Sequence, residues 1–199
     1  NLNLVNHKAT GYLQWNFSKS HTRFQERVTV EQKQKIDGKK IIKTFTETLA
    51  ESASKFAFSL GGRAGYTSVN NEFYLTPRFS ATYFPRAYMV RNNKVVRRNL
   101  SYRFATGTYY QPPFYREFRT LDGNLNTQVQ SQKSVHAVLG ADVFFNMWQR
   151  ERPFKFSGEV FYKYLWDVNP YEIENVRTRY YANNDAVAYA TGIDFNVHG

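Results

Sequence analysis

Hydrophobic and polar side chains alternate along most of the chain. From Ala9 to Phe17 the odd positions are apolar or small, and the even positions are polar. The same alternation recurs in six later segments, which are 55–67, 72–85, 100–111, 135–147, 154–164 and 187–197. A period of two is typical of a β-strand with two different faces. No segment has the period of an amphipathic helix of useful length, so the pattern predicts an all-β fold.

The remaining segments predict turns and one further hairpin. Segments 23–36 and 39–49 alternate more weakly and flank Asp37-Gly38, a dipeptide suited to a tight hairpin turn. We expect this hairpin to project beyond the band of apolar strands, and we interpret 85–98 as a turn because it is polar and basic. Pro77 lies inside an alternating segment, which predicts either a bulge or a position whose N–H need not pair. In total the pattern predicts about nine strands.

Two loops combine aromatic and basic side chains. The strand from Leu100 runs into Pro112-Pro113, which cannot donate to a β ladder, and 114–132 continues as a long loop. A second polar and aromatic loop spans 167–184. Aromatic rings and guanidinium groups are enriched at binding hot spots. These loops therefore supply the candidate substrate-binding residues, although the tyrosines could instead pack one loop onto another: Tyr109, Tyr110, Tyr115, Arg116, Arg119, Tyr171, Arg177, Arg179 and Tyr180.

The polar faces of the strands carry charges in mid-strand. These are Arg63, Arg78, Arg103, Asp142, Glu159, Lys163 and Asp194, which we expect to form a charge network on the face that lines the lumen of a barrel. The alternation would look the same in a soluble β-sandwich. Strands of about a dozen residues, tyrosine and tryptophan near strand ends, and connections of very unequal length favour membrane-spanning strands. We therefore predict an antiparallel transmembrane β-barrel.

Composition excludes several classes of protein. The chain has 42% hydrophobic and 18% aromatic residues, which excludes a disordered chain, and no cysteine, which excludes disulfides and cysteine-based zinc sites. Its 27 Lys and Arg residues against 16 Asp and Glu residues give a net charge of +11. Such a charge suggests anionic neighbours, for example lipopolysaccharide, phospholipid head groups or an acidic ligand. Because the basic residues are scattered, we expect most of them to lie on a solvated or lumenal face, and we expect no nucleic-acid partner.

The sequence offers no catalytic constellation. The four histidines are far apart and show neither metal-ligand spacing nor acid–base spacing. The glycine-rich segment 61–65 lacks the Lys-Ser/Thr ending of a phosphate-binding loop, so we expect it to relieve crowding on a curved strand. We predict no enzyme activity, no metal and no cofactor.

Short motifs resemble the barrel region of TonB-dependent outer-membrane receptors. The most specific is Tyr109 to Glu117, which reads Tyr-Tyr-Gln-Pro-Pro-Phe-Tyr-Arg-Glu. Others follow in the family's order from about Leu60 to Gly199, at 60–66, 71–73, 77–78, 122–126, 132–136, 152–155, 159–163, 170–171, 175–177 and 189–194. The first third of the chain is similar to the family in layout only.

The resemblance implies a barrel of about twenty-two antiparallel strands in the outer membrane of a Gram-negative bacterium. In that family an N-terminal plug closes the barrel and couples to TonB, and the outer loops help to bind a nutrient such as an iron carrier, a glycan or a peptide. Residues 1–199 are then expected to be part of a single barrel domain, with the plug and the barrel ends outside this sequence. Loops 112–132 and 167–184 are expected to be extracellular, and 85–98 and 148–152 periplasmic.

Two other functions fit the same pattern. One is a small structural or porin-like outer-membrane barrel of about eight to ten strands that works without TonB. The other is a soluble lipocalin-like ligand carrier, against which the charged mid-strand positions count, because such a carrier needs an apolar interior.

Overall fold

The computed structural model describes residues 5–23, 27–36, 39–48, 52–86, 88–91, 94–97, 99–148 and 153–199. The strands in these ranges are β1 (Lys8–Arg23), β2 (Arg27–Ile36), β3 (Lys39–Thr48), β4 (Ser52–Thr67), β5 (Glu72–Phe84), β6 (Tyr88–Arg91), β7 (Lys94–Arg97), β8 (Leu100–Gln111), β9 (Gln132–Phe145), β10 (Phe154–Val168), β11 (Tyr171–Glu174), β12 (Arg177–Tyr180) and β13 (Ala186–His198). In the described ranges no helix is long and apolar enough to cross a membrane.

Seven strands form one antiparallel sheet in the order β1-β4-β5-β8-β9-β10-β13. The other six form three two-stranded hairpins, β2–β3, β6–β7 and β11–β12, which are inserted into the connections of the sheet. The predicted all-β, antiparallel architecture is therefore confirmed. Within the described residues the sheet is open, with β1 at one edge and β13 at the other.

The register places the apolar positions of all seven strands on one face. Trp15 lies opposite Leu60, which lies opposite Phe79, and farther along the sheet Leu139, Val160 and Ile193 continue the same face. This apolar face is largely exposed: Leu13 keeps 80% and Phe195 70% of its surface. Among the described residues no second layer packs against this face, so the strands are held by backbone pairing and cross-strand contacts.

The connections divide between the two ends of the sheet. The turn 68–71, the loop 112–131 and the segment 169–185 lie at one end, which we call the loop end, because they join strands whose paired termini meet there. The hairpins β2–β3 and β6–β7 are inserted at the opposite end, which we call the hairpin end, and the paired termini of β9 and β10 at Phe145 and Phe154 also lie there.

The number of strands was underestimated. Segment 85–98, predicted as a turn, contains the β6–β7 hairpin, and segment 167–184, predicted as a loop, contains β11–β12. Strands of four residues are too short to show a period of two, so the hydrophobic pattern could not reveal them. β2 and β3 pair as a hairpin, as predicted, with Ile36 opposite Lys39, although the Asp37-Gly38 turn itself lies outside the described residues.

Pro77 marks the place where two strands separate. The β4–β5 ladder continues past the Gly62–Pro77 pair, whereas the β5–β8 ladder ends at Arg78–Gly107, directly beside the proline. Of the two predicted explanations, a position whose missing N–H need not pair therefore describes Pro77 better than a bulge.

Candidate functional site

The long loop folds back over the loop end of the sheet. β8 ends at Gln111, opposite Gln132, as expected from the two prolines that follow. Asn70 Nδ2 donates to the carbonyl of Val129 at 3.0 Å. The Glu72 carboxylate accepts hydrogen bonds from the backbone N–H of Ser131 at 2.8 Å and from its hydroxyl at 2.5 Å. We call the segments 68–71, 112–131 and 169–185 the loop cap.

The loop cap has a small hydrophobic core of its own. Phe118, Val129 and Ala182 keep at most 2% of their surface, and Val69 of the β4–β5 turn packs against them. All three segments of the cap thus contribute to one cluster. Burial of a phenylalanine contributes about 1.5–3 kcal/mol, which is a useful share for a unit of this size.

Asparagine side chains join the two long segments of the cap. Asn169 is 2% exposed; its Nδ2 donates to the Glu117 carbonyl at 3.2 Å and its Oδ1 accepts from the Ala182 N–H at 2.8 Å. Asn184 pairs with the backbone of Gln130 through both ends of its amide, at 2.8 and 3.0 Å. Sequence reasoning missed these residues because an asparagine in a loop usually indicates a local turn and gives no sign of a distant partner.

A buried carboxyl fixes the first turn of the long loop. Glu117 is 4% exposed; its Oε2 accepts from the Phe114 N–H at 3.0 Å and its Oε1 accepts from Gln132 Nε2 at 3.3 Å. Burial raises the pKa of Glu117, and the hydrogen bond from Phe114 offsets part of this increase. This residue therefore stabilises the loop and has little surface available for a ligand.

Three of the nine candidate binding residues lie on the exposed surface of the long loop. Tyr115 is 60% exposed, and Arg116 and Arg119 are also exposed. A backbone hydrogen bond from the Glu117 N–H to the Phe114 carbonyl at 2.9 Å shapes the turn that presents Tyr115 and Arg116. Their rings and guanidinium groups are free to meet a ligand from outside.

Four more candidates lie on the β11–β12 hairpin. The rings of Tyr171 and Tyr180 are 5.9 Å apart across the two strands, and Arg177 is exposed near the tip. Arg179 pairs with Glu174 and also donates to the carbonyl of Leu121 in the long loop. The hydrogen bond that Arg179 donates to the Glu174 carboxylate raises the pKa of Arg179. Arg179 thus links the hairpin to the long loop, while Tyr171 and Arg177 face outward.

The last two candidates, Tyr109 and Tyr110, lie in the sheet below the cap. Tyr109 has the Arg78 guanidinium carbon 4.6 Å above its ring, and its ring is 4.4 Å from that of His136. Tyr110 stacks on Tyr74 at 5.6 Å. The nine candidate residues therefore lie in three places: the long loop, the β11–β12 hairpin and the sheet. Tyr109 is grouped with the strand side chains of the polar face.

Part of the predicted charge network forms a compact ion-pair cluster. Arg103 Nη2 lies 2.7 Å from Glu159 Oε1 and 3.1 Å from Asp142 Oδ1. Asp142 is 5% exposed and also accepts hydrogen bonds from Ser101 and Ser157, at 3.2 and 2.7 Å. The carboxylate is thus well satisfied, as a buried charge requires.

A glycine makes the contact between Arg103 and Glu159 possible. Arg103 in β8 and Glu159 in β10 are both opposite Gly140 of the intervening strand β9. A Cβ atom at Gly140 would lie 3.1 Å from Glu159 Cγ, in the path of the ion pair. The absence of a side chain at this position lets the bridge cross a whole strand.

The other predicted members of the network lie in two different parts of the polar face. Asp194 lies opposite Glu159 and, together with Arg103 and Lys155, lines a cleft of about 250 Å³. Arg63, Arg78 and Lys163 lie nearer the loop end, and none of them forms an ion pair with another described residue.

No three His, Asp or Glu side chains are grouped as metal ligands in the described part of the chain. Comparisons with protein families, curated proteins and solved structures give no match for this chain.

Proposed function

We propose that this chain forms part of the barrel of a TonB-dependent receptor in the outer membrane of a Gram-negative bacterium. It binds a nutrient at the loop cap, outside the cell, and the nutrient passes inward when an energised plug domain moves. The observation that carries the proposal is the sheet itself: one face is exposed and apolar, the other is charged and internally paired, and a packed polar cap covers one end.

The exposed apolar face supports a lipid environment. Aromatic and aliphatic side chains cover this face from Trp15 in β1 to Ile193 in β13, at 59% and 61% exposure. Soluble proteins rarely leave so large an apolar patch in water, since each 100 Å² exposed costs about 2.5 kcal/mol. Acyl chains of phospholipid and lipopolysaccharide would cover it. The opposite face, with its cluster around Asp142, suits a lumen filled by water, plug and substrate.

The directions of the strands mean that this sheet needs further strands to close into an antiparallel barrel. Direction reverses at each of the six steps across the seven-stranded sheet, so β1 and β13 run the same way. Pairing these two edges would create a parallel pair, whereas outer-membrane barrels are antiparallel with an even number of strands. Antiparallel closure needs an odd number of further strands. The seven strands alone therefore do not make a small porin-like barrel, and a lipocalin-like carrier meets the same obstacle.

A labelling experiment tests location and orientation together. The chain has no cysteine, so single cysteines can be introduced at Val176, which is 98% exposed in the loop cap, and at Asn146, which is exposed at the hairpin end. In intact cells, a maleimide carried on a polymer too large for porins should label Val176→Cys. It should label Asn146→Cys only after the outer membrane is opened. Equal labelling of both variants, or recovery of the protein in the soluble fraction, contradicts the proposal.

Dependence on TonB separates active uptake from passive flow. Cells that need the protein for growth on a limiting nutrient should lose that growth when TonB is deleted. Growth that persists without TonB would support the porin-like alternative.

A further inference from the structure

The polar face carries a second charged zone, nearer the loop end than the ion-pair cluster. Arg78 lies opposite Gly107, Gly107 opposite His136, and His136 opposite Lys163, so these residues form one continuous row across β5, β8, β9 and β10. Neighbouring strands are about 4.8 Å apart, so the row spans about 15 Å. Arg63 lies two residues farther along β4 on the same face, opposite Thr76. We call Arg63, Arg78, His136 and Lys163 the basic row.

The side chains of the basic row are held in place without a carboxylate. Arg78 crosses Gly107, where an added Cβ would lie 3.0 Å from Arg78 Cγ, and its guanidinium carbon lies 4.6 Å above the ring of Tyr109. That ring is 4.4 Å from His136, whose Nε2 lies 3.0 Å from the Ser134 hydroxyl. An arginine on an aromatic ring keeps its five N–H donors available for another partner.

The acidic residues of this face are engaged elsewhere. Asp142 and Glu159 pair with Arg103 in the ion-pair cluster, and Asp194 lies beside them at the same cleft. Glu72, at the end of β5, is bound to Asn70 and Ser131.

An uncharged row separates the two zones. In this row each residue lies opposite the next on the neighbouring strand, in the order Ser80, Ala105, Val138 and Phe161. Among the described residues no carboxylate forms an ion pair with Arg63, Arg78 or Lys163, so their positive charges remain available to an anion.

We propose that the basic row binds a small anionic ligand bearing a carboxylate or phosphate group. Arg78, supported by the ring of Tyr109, offers a planar pair of donors, and Lys163 offers a point charge on the other side of His136. This inference rests on the proposed function and adds the substrate class, a small anion. The ligand would enter past the loop cap and then bind at the basic row on the lumen face.

Isothermal titration of the protein in detergent micelles tests the site, with citrate as the carboxylate probe and inorganic pyrophosphate as the phosphate probe. Arg78→Gln and Lys163→Gln should each weaken the binding of the preferred anion about tenfold or more, the usual loss for one charge-assisted hydrogen bond. Lys155→Gln is the matched control. It removes the same charge from the same face, but at a position already paired with Asp142 at 3.4 Å, so affinity should stay within about twofold.

Two outcomes overturn the inference. One is that neither probe binds the unmodified protein. The other is that the Arg78→Gln/Lys163→Gln double variant binds as tightly as Lys155→Gln. Because Arg78 also packs on Tyr109, the Arg78→Lys variant is measured too; it keeps the charge and should bind more tightly than Arg78→Gln. Neither outcome bears on the labelling of Val176→Cys and Asn146→Cys, so failure of this site and failure of the proposed function are distinguishable.

Discussion

The sheet and the loop cap are stabilised in different ways. The sheet leaves its large apolar side chains exposed, and its strands are held by backbone ladders. The described side chains with almost no exposed surface are Phe118, Val129, Asn169, Thr67 and Ser131. Four of these lie in the cap, and Thr67 ends β4 beside it. The loops of the cap are thus positioned by a core of their own, and changes in the cap should leave the strands intact.

The largest loss of stability is expected from removing the Phe118 side chain from the core of the cap. Phe118→Ala should cost about 3–5 kcal/mol, as for other fully buried phenylalanines. Amide hydrogen exchange in detergent should speed up in 114–131 and 169–185, because Phe118 holds both segments together. Amides of β4 and β9 should keep their protection. If the amides of β4 and β9 lose their protection from exchange together with those of the cap, the cap and the sheet are one cooperative unit.

A substitution in the sheet gives the converse test. A Cβ at Gly65 would lie 2.2 Å from Tyr74 Cζ, and Tyr74 is 8% exposed and stacked on Tyr110. Gly65→Ala should therefore cost about 1–3 kcal/mol, the usual penalty for overpacking.

The matched control for Gly65→Ala lies three residues earlier in the same strand. Gly62 has no atom within 4 Å of an added Cβ, so Gly62→Ala should be tolerated. Midpoints of thermal unfolding in detergent compare the two variants. Equal midpoints would mean that Tyr74 moves away without cost.

An effect of similar size is expected from removing one hydrogen-bonded link between the loops. Asn169→Ala leaves the Ala182 N–H and the Glu117 carbonyl without their partners and should cost about 1–3 kcal/mol. Asn183 is exposed and bonds only to the nearby Asp185 among the described residues, so Asn183→Ala serves as the control. Proteolysis of the cap should accelerate in the first variant. If it accelerates equally in both, the link is unimportant.

The smallest effect concerns pH. The pKa of Glu117 is higher in the folded cap than in the unfolded chain, so its contribution to stability is fully present below the unfolded pKa. This contribution is lost as the pH rises through the folded pKa. The cap should therefore loosen slightly from acid to neutral pH, as measured by hydrogen exchange in 114–131. Glu117→Gln keeps an acceptor for the Phe114 N–H and should remove this dependence. A steeper dependence in Glu117→Gln contradicts the assignment.

Alternation of side chains predicts which face a residue occupies, but it gives no information about contacts two strands away. The strands around Phe79, Leu139 and Val160 follow directly from the period of two, and the ladder end at Gln111 follows from the two prolines after it. The Arg103–Glu159 pair depends on the register of three strands and on Gly140 between them. Neither the register of the three strands nor the position of Gly140 between the two charges can be read from a local window of sequence.

Tyr109 shows the same limit for the candidate site. Its place in a binding-type motif predicted a loop residue, whereas the register puts it between Arg78 and His136. The Asn169 link was equally hidden, because its partners Glu117 and Ala182 are distant in sequence or belong to another turn.

The central claim is that lipid covers the apolar face, and tryptophan quenching tests it most directly. Trp15 lies in the middle of β1 on that face and is 59% exposed. A variant that retains Trp15 alone, with Trp148 and Trp166 changed to phenylalanine, is reconstituted into vesicles with brominated acyl chains. The account predicts strong quenching by the brominated chains and little quenching by aqueous iodide. Quenching by iodide with no effect of the brominated lipid would contradict it.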